Sequence, residues 1–442
     1  MEKEYKKIAV EISRIILGVV FVFSGFVKAV DPLGGVYKIQ DYLLAFEFTD
    51  FNFWATPVAF LQAAVEFGVG ACLLLGIYRR FNSTLVFLIM LFMTPLTLYL
   101  ALTNPVKDCG CFGDALVISN WLTFSKNVVL LIAAIIVFMW NRLMFRFFTR
   151  KGYSYTALWV YVFIIGVSLY CYYYLPVFDF RPYKIGVNIP KGMEIPENAE
   201  HDIYETKLIY ADIDGKQKEF TIENYPKGDT SWTFVNSRPY LIKKGYQPPI
   251  HDFSITDLGG ADITEKVLSD PSYTFLLISH KLKEARDSNI DKINDIFDFS
   301  KANEYGFYAL TSSSSSEIKE WDENTGAEYL FCTGDDVTLK TIVRSNPGLL
   351  LIKGGTIINK WPNTRLPDID KLKKILEDAN QGYVTKPNNF GTLILLALIL
   401  LIPLAALFFR YRKRNKTNPN RESKSNNSNR VNDPVSVDTE II

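Results

Sequence analysis

Ile8-Ala-Val-Glu-Ile-Ser-Arg-Ile-Ile-Leu-Gly-Val-Val-Phe-Val-Phe-Ser-Gly-Phe-Val-Lys-Ala-Val30 is the stretch on which the fold turns. Glu11, Arg14 and Lys28 are the only charged residues in it. A bilayer core is ~30 Å thick and a spanning helix needs ~20 mostly apolar residues, a length this run meets. No small-residue cleavage site follows it, so it is expected to stay as a helix rather than be removed as a leader. Five more segments satisfy the same demand: Thr56–Tyr78, Thr84–Leu102, Trp121–Phe145, Tyr155–Leu175 and Gly391–Arg410. The fold class expected is therefore a membrane α-helical bundle, with a large non-membrane insert between the fifth and sixth spans.

Composition agrees. The 442 residues are 48% hydrophobic and 14% aromatic, and the apolar residues come in blocks. Formal net charge is +1, from 48 Lys+Arg against 47 Asp+Glu, which gives no general attraction for polyanions and argues against a nucleic-acid partner. Five cysteines are too few for a disulfide scaffold and odd in number.

Basic residues gather on the cytoplasmic side of spanning helices. Lys3, Lys6, Lys7 and Arg14 flank the first span, Arg79 and Arg80 follow the second, Arg142, Arg146, Arg150 and Lys151 separate the fourth and fifth, and Arg410, Arg412, Lys413 and Arg414 follow the sixth. The alternate loops carry only Lys28, Lys38 and Lys107. The expected placement is a plasma (bacterial inner) membrane, with both termini cytoplasmic and residues 178–390 on the outer, periplasmic side.

Residues 178–247 read as β-rich. Lys207-Leu-Ile-Tyr-Ala-Asp-Ile-Asp-Gly-Lys-Gln-Lys-Glu-Phe-Thr-Ile has two alternating stretches about Asp214-Gly215, a hairpin signal. Residues 248–390 alternate strands and helices, the pattern of an α/β layer. Strands are expected at Phe275–Ser279, Gly306–Leu310, Glu328–Phe331, Gly348–Ile352 and Thr356–Trp361, with helices over Asp287–Asn303, Ser313–Glu323, Asp335–Val343 and Pro367–Asp378. The fifth and sixth spans cover residues 151–177 and 391–411. The Asn- and Ser-rich tail, residues 412–442, is expected to be disordered.

Two resemblances follow from particular motifs. Arg14 through Asp31-Pro32, and Glu66-Phe-Gly-Val-Gly-Ala-Cys-Leu-Leu-Leu-Gly, resemble the first two helices of DoxX-type membrane proteins. Asp108-Cys-Gly-Cys-Phe-Gly-Asp is similar to a loop of the MauE proteins of methylamine utilisation. The likeness covers a four-helix unit within residues 1–150. It implies a bundle tied to redox chemistry, quinone-linked in DoxX and concerned with maturing a disulfide-rich exported enzyme in MauE. Residues 248–390 resemble exported thioredoxin-like domains, through Pro249-Ile-His-Asp-Phe-Ser-Ile and Arg344-Ser-Asn-Pro-Gly-Leu-Leu-Leu-Ile-Lys-Gly-Gly. That likeness implies a cis peptide at Pro347, bordering the place where a redox dithiol sits. Here Ser279-His-Lys-Leu occupies that place and no Cys-x-x-Cys exists in the chain, so this domain cannot run a dithiol cycle alone.

Cys109 and Cys111 are the candidate reactive residues. A bond between them closes only a small ring and is readily reduced, as a relay requires; a structural disulfide and free or metal-bound thiols are the other readings. Cys72, Cys171 and Cys332 read as packing residues, with pairing to the Cys-Gly-Cys loop as the other reading of Cys171, at the outer end of the fifth span. Glu66, an ionisable group in mid-span, is costly unless it faces a partner. It is either a proton acceptor beside a bound quinone or lipid headgroup, or a polar lock between helices, with Gln62 one turn away. Glu11 and Arg14 are spaced to pair. The histidines, His201, His251 and His280, lack metal-ligand spacing, and no metal is expected; His280 reads as a surface residue. Pro347 marks the cleft expected to bind an exported protein client.

The functional expectation is an envelope redox or maturation factor, in contact with membrane lipid and an exported client, with a quinone as the cofactor that the resemblance suggests. The other class is a non-enzymatic scaffold with structural cysteines.

Overall fold

The computed structural model describes residues 2–417 except 107, 149, 201, 202, 244, 327 and 385. His201, Lys107 and residues 418–442 of the expected tail lie outside the described residues. The chain forms two compact units, one from residues 2–181, 361–366 and 386–417, the other from residues 182–360 and 367–385.

The first unit is helical: α1 (Glu2–Val30), α2 (Pro32–Ala45), α3 (Ala55–Leu75), α4 (Arg79–Thr103), α5 (Asn120–Met139) and α6 (Tyr153–Tyr173). All but α2 are long and apolar enough to span a membrane, as is the last helix of the chain. Helix α2 falls in what the sequence presents as a loop. Asp31 caps it, accepting the Gly34 N–H at 2.9 Å, and Pro32 supplies the preset φ of a first helical turn. Helix α5 stops at Met139, short of the expected Phe145, where the Asn141 amide turns back to donate to the Phe138 carbonyl.

Helices α1 and α3 cross almost backbone to backbone. A Cβ on Gly25 would lie 2.2 Å from the Phe67 nitrogen, and one on Gly70 would lie 2.6 Å from the Val22 nitrogen. Small residues at such crossings let dispersion contacts replace the hydrophobic drive that lipid does not provide. Leu17, Phe21, Val69, Leu73, Val86, Leu130 and Ala134 fill the core beside the crossing.

The second unit begins with the short α7 (Ile189–Met193) and a three-stranded antiparallel sheet of β1 (Ile203–Ala211), β2 (Gln217–Thr221) and β3 (Thr233–Lys243), in the order β2-β1-β3. Leu208 faces Phe220 across the first pair, and Gly215 turns the hairpin at φ +79°. Then come β4 (Thr256–Asp257), α8 (Thr264–Ser269), β5 (Tyr273–Ser279), α9 (Ile290–Ala302), β6 (Gly306–Thr311), α10 (Ser315–Thr325), β7 (Leu330–Thr333), α11 (Asp336–Ile342), β8 (Gly348–Lys353), β9 (Thr356–Pro362) and α12 (Ile369–Asn380). The strands form one sheet in the order β4-β7-β6-β5-β8-β9.

Strand β5 is buried along its whole length and pairs parallel with β6 and antiparallel with β8. A parallel β-α-β half followed by a β-β-α half, with a cis Asn346–Pro347 peptide entering β8, is the thioredoxin-like arrangement. Ser314 and Glu317 form a reciprocal capping box that starts α10, so the serine run is a helix entry. The chain ends its described course with α13 (Asn389–Thr417), which runs past residue 412, where the tail was expected to begin.

Candidate functional site: the Cys-Gly-Cys loop and its ion pair

The Cys-Gly-Cys loop folds into the mouth of the helical unit. Its stem is held by Asn120, a buried residue whose side-chain amide donates to the Asn104 side chain at 3.1 Å and to the Val106 carbonyl at 3.2 Å. Asp108 accepts the Gly110 N–H at 2.7 Å and pairs with Lys38 of α2 at 3.1 Å. Gly110 has φ +65°, a conformation that other residues adopt at a cost, and the Lys38 stem passes where its Cβ would stand. The glycine is required twice over, for its backbone and for its missing side chain.

Cys111 then reaches the ion pair that the sequence leaves half drawn. Its carbonyl accepts from the Lys28 ammonium at 2.9 Å and lies 2.6 Å from the Ser24 hydroxyl. Lys28 also donates to Ser24 at 2.9 Å and meets the Glu66 carboxylate at 2.6 Å, so all three of its protons are used. Glu66 accepts from Gln62 at 3.0 Å on its other oxygen, as the one-turn spacing anticipates. Ser24 has a single proton to share between Glu66 and the Cys111 carbonyl, each 2.6 Å away. Lys28, counted in the sequence as a loop charge, is thus a buried partner of Glu66. Glu11 and Arg14 pair at 2.6 Å near the other end of α1.

The two sulfurs are inequivalent. The Cys111 thiol hydrogen-bonds the Cys109 sulfur, and this is the main reason Cys109 ionises below the usual thiol range. Burial opposes the effect, while the Cys111 N–H and the Lys126 ammonium add to it. Cys111 is pushed upward by the same hydrogen bond, by burial and by the charge on its neighbour. Cys109 is thus the more readily ionised sulfur of the two. The Lys126 ammonium sits 4.3 Å above the Phe112 ring, which anchors its charge beside the loop. Burial, with the charge on Cys109 next, raises the Tyr42 phenol, which donates to the Cys109 carbonyl at 3.1 Å.

Cys109 is 9% exposed and lines a chamber of about 360 Å³ walled by Val27, Ile39, Tyr42, Phe92, Met93 and Leu96. A smaller cavity of about 60 Å³ reaches Glu66 and Cys111 and shares Lys28, Gln62, Met93 and Cys109 with the chamber. The larger volume and its apolar wall lie in the range of small-molecule sites. Among the described residues, no group of three or more His, Cys, Asp or Glu is arranged to hold a metal ion.

The remaining cysteines stand apart. Cys171 packs with Phe163, Val167 and Phe178 in a core cluster without Cys109 or Cys111, and Cys72 packs with Ile77 and Tyr153. In the second unit Cys332 is fully buried, and burial, with Asp257 adding, pushes its thiol up to about 11.

Pro347 is buried beside a closed position. Ser279 donates to the Asn346 side chain at 2.7 Å, and the Asn346 amide donates to the Lys281 carbonyl at 2.8 Å. The segment that replaces a dithiol is thereby sewn to the residue before the proline. His280 departs from its expected surface place: it is 6% exposed, and burial above all lowers it to about 4, Lys340 adding to the effect and Asp336 opposing it.

Residues 6–140 match the family described as methylamine utilisation protein MauE. Residues 204–244, the three-stranded sheet, match a domain of unknown function (DUF8463). None of the curated proteins matches the chain. Among solved structures, a thioredoxin-like protein from Aeropyrum pernix is 13% identical, over 29% of this chain and 89% of that one, with a TM-score of 0.24. The thioredoxin domain of a thiol-disulfide oxidoreductase from Bacteroides vulgatus is 12% identical, over 30% and 93%, with a TM-score of 0.23. StoA from Bacillus subtilis is 11% identical, over 28% and 95%, with a TM-score of 0.23.

Proposed function

We propose that this membrane protein is a thiol–disulfide redox and maturation factor of the cell envelope, with Cys109 and Cys111 as its reactive pair. The observation that carries the reading is that Cys109 and Cys111, both free thiols, pack together in one loop and line the same cavity, with Lys126 alongside. In the oxidised form a thiolate of an exported client attacks the strained Cys109–Cys111 bond and makes a mixed disulfide. A second client thiolate displaces the loop sulfur. The client gains a disulfide, and the loop is left with two thiols and the two electrons. Glu66 and Lys28 act as positioning residues, holding the Cys111 carbonyl and hence the loop.

The chamber beside Cys109 fits a flat apolar molecule, and a quinone bound there would supply the two-electron acceptor that returns the loop to its oxidised state. Lys38 on the chamber wall, with one of its three N–H donors on Asp108, can donate a hydrogen bond to a carbonyl oxygen, which is how this chain would orient such a ring.

The topology in this reading puts both termini in the cytoplasm and the loop and thioredoxin-like unit outside, following the basic-residue bias of the loops. The thioredoxin-like unit, lacking its own dithiol, holds the client. With Pro347 buried and Asn346 engaged, the rim residues Lys281 and Lys283 form its contact edge. Tethering at both ends raises its effective concentration near the loop. The closed Ser279–Asn346 link also favours the second reading, a scaffold in which this unit only binds.

Trapping distinguishes them. Run in reverse, the Cys109 thiolate attacks a client disulfide and releases one client thiolate; in Cys111→Ser no loop thiol can then displace the bound client sulfur, so a client adduct should accumulate in cells and vanish on reduction. Cys109→Ser should give far less. Absence of adducts from both variants, with insertion intact and maturation of exported proteins unchanged, would leave the scaffold.

A further inference from the structure

The end of the helical unit away from the Cys-Gly-Cys loop carries a cationic cup that the redox reading does not use. A pocket of about 630 Å³ is lined by Arg79, Arg80, Arg142, Arg146 and Arg150, with Tyr78, Phe81, Asn141 and Tyr153 completing the wall. Among the described residues, none of the five guanidiniums makes an ion pair with a carboxylate. Arg79 is fixed in place, donating to the Arg142 carbonyl at 2.8 Å and the Met144 carbonyl at 2.7 Å. The other four arginines are exposed and free to close on a ligand. The same wall contains the first residues of α4, whose unpaired backbone N–H groups add positive potential.

We infer that this cup is a binding site for the headgroup of an anionic phospholipid. Five cations without a counter-charge repel one another until an anion enters. Guanidinium is the group best matched to phosphate oxygens, through paired N–H donors, and no lysine lines the cup among the described residues. Phe81, 67% exposed at the rim, gives the acyl end an apolar surface where a soluble phosphate has nothing to bury. Basic pockets between spanning helices on the cytoplasmic side hold such headgroups, and the surplus of charge favours a two-phosphate lipid such as cardiolipin over phosphatidylglycerol. The inference stands whether or not the loop cysteines turn over.

The test uses the full chain, purified in a mild detergent and stripped of lipid, then offered cardiolipin, phosphatidylglycerol or phosphatidylethanolamine in mixed micelles, with binding read by native mass spectrometry. Cardiolipin is expected to be retained most and phosphatidylethanolamine least. Arg80→Gln/Arg142→Gln/Arg146→Gln should weaken cardiolipin retention at least about tenfold, since each cation near a membrane surface contributes roughly a factor of five. A control, Lys3→Gln/Lys6→Gln/Lys7→Gln, removes the same charge from the same end, where Lys6 lies over the Trp140 ring. Equal losses in the two triple variants, or no loss in the arginine variant, would overturn the site. Displacement of cardiolipin by inorganic phosphate at equal concentration would overturn the lipid as its occupant.

Discussion

Lys28, in the last turn of α1, places one ammonium between the Glu66 carboxylate of α3 at 2.6 Å and the Cys111 carbonyl at 2.9 Å. A charge pair across two helices thereby also fixes the loop that carries the sulfurs. The Gly25 and Gly70 crossing makes this reach possible, because bulkier side chains there would hold the two helices farther apart.

Removing one member of this pair should cost more than removing both. Lys28→Met leaves a buried carboxylate without its counter-charge and should destabilise the helical unit by about 3–5 kcal/mol. The double variant Lys28→Met/Glu66→Gln should recover much of that loss. Thermal unfolding in detergent, arranged as a double-mutant cycle, measures the difference; additive losses would show that the two groups do not act together.

The reactivity of Cys109 depends on its partner. Below the usual thiol range the sulfur remains a thiolate, so alkylation of Cys109 should stay fast at neutral pH while Cys111 reacts slowly. Cys111→Ala removes the donor that favours the thiolate, and the alkylation profile of Cys109 should move to higher pH. Rates of iodoacetamide labelling between pH 5 and 9, read by peptide mass spectrometry at the approximate order of a few-fold, check both shifts.

Gly110→Ala should disturb the loop without unfolding the bundle. The added methyl meets the Lys38 stem at 2.8 Å and needs a positive φ, so the Lys38–Asp108 contact must open. A cost of about 1 kcal/mol or more is expected from the backbone alone. The sharper readout is the labelling contrast between Cys109 and Cys111, which should shrink.

Gly25→Leu should be far more severe, since backbone atoms of α3 occupy the space its side chain requires. Loss of folded protein on size exclusion, against a tolerated Gly166→Ala where nothing lies within 4 Å, would separate crowding from a general sensitivity of helical glycines.

His280 makes the thioredoxin-like unit sensitive to acid. Its ring is neutral when folded, with its pKa lowered to about 4 from 6.5, so the unfolded chain binds more protons between those values. Stability should fall as pH drops from 6.5 towards 4, by an amount on the order of 3 kcal/mol, and be unaffected by this residue above 6.5. His280→Gln should flatten that part of the profile in thermal unfolding of the full chain.

The long-range apolar runs made the six spans legible, and short buried runs such as Phe275–Ser279 made the strands of the second unit legible. The Asp-Gly turn and the serine-led start of α10 follow from local chemistry, which is why they could be read one segment at a time. Helix α2 was hidden because Gly34 and Gly35 weaken its propensity, although Asp31-Pro32 is a helix-start signal. The Lys28–Glu66 pair was hidden for another reason: its members lie on different helices, and only the glycine crossing brings them together. His280 looked like a loop residue because its burial depends on α11 and the Ser312 region folding over it; both the Ser312 hydroxyl and its N–H turn to the His280 carbonyl.

Helix α2 has a consequence for traffic to the sulfurs. It walls the chamber opposite α4, whose Phe92 lines the same space while remaining 69% exposed on the outer surface of the bundle. Phe92 belongs to a helix long and apolar enough to span a membrane, so this side of the chamber lies on the flank of the bundle. In the topology proposed above, a solute dissolved in the lipid would reach that flank from the side, and a water-borne one would meet Asp108 and Lys38 first. Under the proposed redox reading, oily and aqueous reactants would have separate approaches to one pair of thiols.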